Sequence, residues 1–375
     1  MAALVILVIA IVVLIYERFR YQDNWNKNLI VRISLDRLGV KAGDEFHLDE
    51  VIINDKNMHI PVMEVKFSTD VSFIFNNKDN AAISDKYYRR DVFDIKGYKK
   101  ITRRHTVVAT KRGVYDIGDI DVISYDFLMQ LKYMTLFKNH AEIMVYPERI
   151  DTRDFRYIVR SIVGDNGKKG LIEDEFLFRG MREYVPGDPI KRINQKTSAR
   201  QGKYMVNQME CVSTQRFIVI HDADPKDYRD GELIQERGIS VSVSFVENLY
   251  EQGYDVSYRS NLKTSKSEED VCVDNVCNRE RMLEIDKKMA VADTSVLVKP
   301  LEKILDETYS QHGRGVSYIV VTSRKASDVN DILRDYINKG VSICAVIPYT
   351  KREVLALFNT ENPVESEHIY PWNAV

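Results

Sequence analysis

Between Phe178 and Val206 the sequence reads FRGMREYVPGDPIKRINQKTSARQGKYMV, with seven cationic side chains (Arg179, Arg182, Lys191, Arg192, Lys196, Arg200 and Lys203) among three glycines and two prolines. Groups at this density can hold phosphate, contact nucleic acid or pair with acids of their own chain. A phosphate grip wants free backbone amides at a helix start, and PGDPIKRIN predicts such a start, with Asp188 as N-cap and Pro189 first in the helix. Asp188 would already occupy those amides and bring its own negative charge. Nucleic acid wants interleaved stacking aromatics, and only Phe176, Phe178, Tyr184 and Tyr204 are near. Glu173, Asp174, Glu175, Glu183 and Asp188 stand close enough in sequence to pair with several of the cations. The segment is therefore expected to act first as a structural clasp, second as a partner-binding surface and last as a phosphate site.

Other reactive residue types are dispersed. His105, His221 and His312 have no Ser or Cys nucleophile in a strand-turn-helix motif beside them, and no Gly-rich phosphate loop or zinc signature is present. His221, next to Asp222, could serve as a general base, but a strand-end histidine is more often packed and hydrogen-bonded. Cys272 and Cys277 are spaced for neither a zinc knuckle nor a redox pair, and with Cys211 and Cys344 they point to idle thiols. Glu268, Glu269, Asp270 and Asp274 read as a solvated loop. No enzyme is expected.

The elements that must position these residues follow from pattern. A chain of 375 residues, 44% hydrophobic and with a formal net charge of -2, suggests two domains and no bulk affinity for nucleic acid. Ala2 to Tyr16 is an unbroken apolar run, about 22 Å long as a helix against a hydrocarbon core of about 30 Å. With Phe19, Tyr21 and Trp25 as interfacial aromatics and Arg18, Arg20 and Lys27 following, residues 1–27 predict a retained anchor with the rest of the chain cytoplasmic. Residues 28–149 read as short strands in which, for example, Met63, Val65 and Phe67 alternate with Glu64, Lys66 and Ser68, which predicts a β-sandwich. Arg103, Arg104, Lys111 and Arg112 are expected on an exposed edge of it. Residues 150–215 form a linker with the basic motif, and 216–375 alternate apolar strands with amphipathic helices, the pattern of a parallel α/β sheet. Ligands in such sheets sit beyond the carboxyl ends of the strands, which selects the loops His221–Lys226, Thr322–Lys325 and Pro348–Lys351.

The run EF-x-x-RGMREYVPGD-x-x-KRIN-x-K-x-SARQGKYMV, with RGVYDIGDIDVISYDFL leading to VYPER before it, resembles the bacterial "domain of unknown function 58" family over nearly the whole chain. The resemblance implies a membrane-anchored protein with a β-sandwich and a Rossmann-like, von Willebrand factor A-like α/β domain. It also implies a chaperone or assembly adaptor working with a MoxR-type AAA+ ATPase. It marks Arg179, Arg182, Glu183, Tyr184, Gly187, Asp188, Arg192, Lys196, Ser198 and Arg200 as the motif residues, structural or interfacial. Gln195 departs from the family's tryptophan at that position. The first loop of the last domain also departs from the metal-binding pattern Asp-x-Ser-x-Ser, presenting Asp222, Asp224 and Lys226. An ammonium has no lone pair to give a cation, so Lys226 is expected to pair with Asp222 or Asp224. A Mg²⁺ ion on Asp222 and Asp224, with Thr294 supplying a hydroxyl, is the alternative, and would make the domain a metal-dependent ligand binder. A hydrolase built on the same loop is the weaker one. No other cofactor, and no small-molecule substrate, is expected.

Overall fold

The computed structural model describes residues 2–126, 128–150, 158–159, 171–185, 193–213, 215–224, 230–264, 267–294, 299–360 and 368–373, with backbone alone described for 2–3, 171–179, 208–213 and 267–269. The chain divides into two compact units, Met1–Glu148 and Arg149–Val375.

The first unit opens with helix α1 (Ala2–Asn24). Twelve strands follow: β1 (Leu29–Leu35), β2 (Gly39–Lys41), β3 (Glu45–Asn54), β4 (Ile60–Thr69), β5 (Phe73–Phe75), β6 (Ala81–Ile83), β7 (Tyr87–Ile95), β8 (Lys99–Ala109), β9 (Gly113–Ile117), β10 (Ile120–Tyr125), β11 (Lys132–Phe137) and β12 (Ala141–Tyr146). They form a β-sandwich of sheets ordered β1-β3-β8-β5, β11-β10-β4-β7-β6 and β2-β12-β9. Alternation decides which face is buried: Phe46 and Leu48 of β3, Met63, Val65 and Phe67 of β4, and Phe93 and Ile95 of β7 all enter one core. The same phase carries Glu50, Arg89, Asp91 and His105 inward, so the core has polar members. Strand β8 pairs β3 along most of its length but β5 only at Val107–Ala109, so among the described residues Arg103 and Arg104 lie where its other side has no strand partner. They also reach carboxylates, Arg103 on Asp91 at 2.8 Å and Arg104 on Asp49 at 2.7 Å.

The expected membrane anchor is corrected. Among the described residues no helix is long and apolar enough to cross a membrane. The apolar run stops at Glu17, Arg18 and Arg20, and of the three aromatics assigned to an interface Phe19 is exposed while the other two are used otherwise. Tyr21 and Trp25 are buried in the sandwich core, and the Tyr21 hydroxyl lies 2.6 Å from Ser124 Oγ. Lys56 fixes the chain beyond the helix by donating to the carbonyls of Trp25 (2.8 Å) and Lys27 (2.6 Å). The single-pass location with cytoplasmic domains falls with the anchor.

In the second unit, β13 (Leu171–Glu183) and β14 (Met205–Ser213) make an antiparallel ribbon around helix α2 (Gln195–Gln201). Asn194 caps α2 by accepting from the Thr197 amide at 3.0 Å, and Gly202 ends it with a left-handed φ of 67°. Then follow β15 (Arg216–Asp222), α3 (Gly231–Glu251), β16 (Asp255–Thr264), β17 (Ser267–Val273), α4 (Arg279–Ala290), β18 (Ala292–Asp293), α5 (Leu301–His312), β19 (Val316–Thr322), α6 (Ala326–Asn338), β20 (Ser342–Tyr349), α7 (Val354–Phe358) and β21 (Ile369–Asn373). The sheet order is β17-β16-β15-β19-β20-β21, with β18 also beside β16; β17 and β18 are antiparallel and the rest parallel. Phe217 and Val219 of β15 enter one core with Ile285 and Met289 of α4, while Ile218 and Ile220 enter the other with Leu305 of α5 and Leu333 of α6. Burying each such side chain contributes about 1.5–3 kcal/mol, which holds helices to both faces of the sheet.

Candidate functional site

Three parallel strands converge on Asp222. Strand β15 ends at this residue, β16 brings Asn261 beside it, and β19 delivers Thr322, with Ser323 and Arg324 in the turn that follows. The Asp222 side chain is fully buried, a position that a carboxylate holds only with donors in place. Its Oδ1 accepts from Asn261 Nδ2 at 2.8 Å. Its Oδ2 accepts from Thr322 Oγ1 at 2.7 Å and from Arg324 Nε at 2.8 Å. Burial pushes the Asp222 carboxyl upward, against the downward pull of Arg324 and Thr322.

The surrounding groups hold one another as well. Asn261 also donates to the carbonyls of Ala223 (3.2 Å) and Lys299 (3.1 Å) and accepts from the Ala223 amide at 2.8 Å. Ser323 Oγ donates to the Asp224 carbonyl at 3.3 Å, and Gln235 donates to the same oxygen at 3.1 Å. The Arg324 guanidinium lies 3.9 Å from Asp224 Oδ2 and 3.8 Å from Glu302 Oε1. His221 is buried against Ser260 Oγ at 3.0 Å, and a Cβ on Gly238 would stand 3.3 Å from its Nε2, so that glycine gives the imidazole its room.

This arrangement does not fit a divalent ion. Asp222 Oδ2 accepts two hydrogen bonds, from Thr322 and Arg324, and has no lone pair left for a metal, while Oδ1 is held by Asn261 Nδ2. Thr294 is half-buried beyond β18 and is not among the Asp222 partners. Lys226 lies outside the described residues; the internal cation shown on Asp222 is Arg324. The Thr322–Lys325 loop, expected to face a ligand, instead turns its Arg324 inward onto Asp222. The signal was an arginine one position past the end of the strand SYIVVTS.

The basic segment is partly in view. Gly187, Asp188 and Arg192, with the helix start expected there, lie outside the described residues, as does the side chain of Arg179. Arg182 donates to the Glu183 carbonyl at 3.0 Å, and Lys203 pairs with the Glu183 carboxylate at 2.7 Å. Tyr184 meets Tyr204 edge-on at 6.4 Å. Ser198 stitches α2 to β14, donating to the Asn194 carbonyl at 2.7 Å and accepting from the Met205 amide at 2.8 Å. Lys196 and Arg200, one turn apart on α2, are exposed and have no ion pair among the described residues.

No family model and no curated protein matches the chain. Solved structures similar to part of it include a non-cellulosomal cohesin from Archaeoglobus fulgidus, 10% identical, covering 34% of this chain and 96% of its own, with a TM-score of 0.22. A CARDB domain from Pyrococcus furiosus in complex with di-metal ions is 11% identical over 32% of this chain and 94% of its own, at 0.21. A type I cohesin from Pseudobacteroides cellulosolvens is 15% identical over 32% and 94%, at 0.21. Likeness at these scores carries no argument about function. The Rossmann-like, A-like assignment of the second unit is withdrawn on the geometry of the site itself. The metal loop that would have marked it is filled by the Asp222–Arg324 pair.

Proposed function

We propose that the chain is a non-catalytic protein-binding module whose partner contacts the exposed cations of α2. The observation that carries this reading is the contrast on one short segment: Lys203 is paired with Glu183, while Lys196 and Arg200 present spare charge on one helical face. Charges displayed in this way steer an acidic surface into register more than they stabilise their own fold. The groups at the end of β15 support the non-catalytic part, because Asp222, Asn261, Thr322 and Arg324 are bonded to one another. A Mg²⁺-dependent reading of Asp222 and Asp224 would have to displace Arg324. The resemblance to the "domain of unknown function 58" family names a MoxR-type AAA+ ATPase as the partner to try first.

The test is binding of a purified MoxR-type ATPase to the immobilised full chain, compared with a Lys196→Glu, Arg200→Glu double variant. Binding that weakens at least about tenfold in the variant at unchanged melting temperature is expected, the scale of charge reversal at an interface rim. Equal binding by both proteins, or none by either, would overturn the reading.

A further inference from the structure

Inside the sandwich, strand alternation buries four polar side chains together and brings a fifth, the partly exposed Arg103, beside them. Glu50 follows Phe46 and Leu48 on the inward face of β3, Arg89 and Asp91 follow Tyr87 on β7, and Arg103 and His105 precede Val107 on β8. Glu50, Arg89, Asp91 and His105 are buried. Strands β3 and β8 are neighbours in one sheet and β7 belongs to the facing one, so the cluster bridges the two sheets.

The charges are unevenly satisfied. Asp91 is held from both sides, Oδ2 accepting from Arg89 Nε at 2.7 Å and Oδ1 from Arg103 Nη1 at 2.8 Å. Glu50 has no such support. Its Oε2 lies 3.4 Å from His105 Nε2, and its Oε1 is buried without a hydrogen-bond partner. An orphaned carboxylate oxygen in a core costs several kcal/mol unless a proton or a cation reaches it.

We infer that Glu50, Asp91 and His105 form a binding site for one divalent transition ion of the zinc class. The ligand atoms lie within 4.8 Å of one another, with His105 Nε2 3.4 Å from Glu50 Oε2 and 3.7 Å from Asp91 Oδ2. Ligands about 2.0–2.1 Å from a tetrahedral ion stand roughly 3.3 Å apart, so small movements would close the site. One imidazole with two carboxylates suits zinc, iron or manganese, whereas Mg²⁺ and Ca²⁺ favour oxygen donors alone. Glu50 and Asp91 match the charge of the ion, so the charges of Arg89 and Arg103 on Asp91 must be met by their other neighbours. Arg89 then rests on the Asn77 carbonyl at 2.9 Å and over the Phe75 ring at 5.3 Å, and Arg103, partly in solvent, over Phe93 at 4.1 Å. Arg89 and Arg103 would each keep one lone pair of Asp91, on Oδ2 and Oδ1, and leave the second lone pair of Oδ2 to the ion, as supporting donors do for metal-bound carboxylates.

Because the ligands are enclosed, the full chain is to be refolded from urea with ZnCl₂, CoCl₂ or MgCl₂. One equivalent of Zn²⁺ should bind and raise the melting temperature by roughly 5 °C at saturation, and Co²⁺ should give visible absorption of a low-coordinate site. Mg²⁺ should do neither. Glu50→Gln, which keeps the shape, and His105→Gln should each weaken binding at least about tenfold. A Cys272→Ser, Cys277→Ser variant controls for the exposed thiols and should bind unchanged. Absence of saturable binding, binding unchanged in both ligand variants, or binding lost only with the cysteines would overturn the site.

Discussion

A carboxylate buried as deeply as Asp222 depends on every donor that faces it. Removing Arg324 by substitution with Ala leaves an uncompensated charge in the core of the second unit, and unfolding in urea should show a loss of about 3–5 kcal/mol. A loss under about 1 kcal/mol would mean that water replaces the guanidinium freely. Asp49 poses the opposite case at the surface of the first unit. Arg104 grips both of its oxygens, at 2.7 and 2.8 Å, and this hydrogen-bonded guanidinium is the main reason its pKa is lowered. A carboxylate with a depressed folded pKa stabilises the fold above its unfolded value of about 3.9 and loses that contribution as pH falls through the folded value. Asp49→Asn should therefore cost roughly 0.2–1 kcal/mol at pH 7, discounted for the exposure of Arg104, and almost nothing near pH 2. Residue roles were the least legible part of the sequence, since pairing depends on which strands become neighbours. Lys226 looked like the internal cation because it is four residues from Asp222, whereas Arg324 arrives from a strand a hundred residues away.

Elements were legible where a period repeats. Met63, Val65 and Phe67 on β4, and Val329, Leu333 and Tyr336 on α6, are buried at the spacing their sequence displays. The period says which residues go inward and not what they meet there. YYRRDVFDI alternates throughout, yet its inward set includes Arg89 and Asp91, which pair with each other and, through Asp91, with Arg103 of another strand. Helix α1 is the clearest case of an element read correctly as a helix and wrongly as a span, because apolar length does not reveal that Tyr21 and Trp25 have a core to enter. Lys56 supplies the attachment, and burial lowers its pKa to about 8. A lysine with a depressed folded pKa favours the fold only as it loses its proton, so its effect grows as pH rises from about 8 to the unfolded value of about 10.4. Comparing thermal melts of the protein with those of Lys56→Met should show a stability difference that shifts toward the lysine protein across that window. A difference independent of pH would assign the role of Lys56 wholly to its bonds to Trp25 and Lys27.

At the scale of the molecule, two units carry three apolar cores between them, one in the sandwich and two on the faces of the seven-stranded sheet. The chain is long enough to enclose each of them, and the exception is α1, where the large side chains from Leu4 to Tyr16 remain largely uncovered. Monomeric proteins rarely display contiguous apolar area on that scale. The particle is therefore unevenly wetted, and its colloidal behaviour should be set by a few turns of helix more than by the net charge of -2. In light scattering this predicts a negative second virial coefficient that becomes more negative with added sulfate, which strengthens apolar association. Deleting residues 2–16 should bring the coefficient back toward zero, while the remainder of the sandwich keeps its melting temperature.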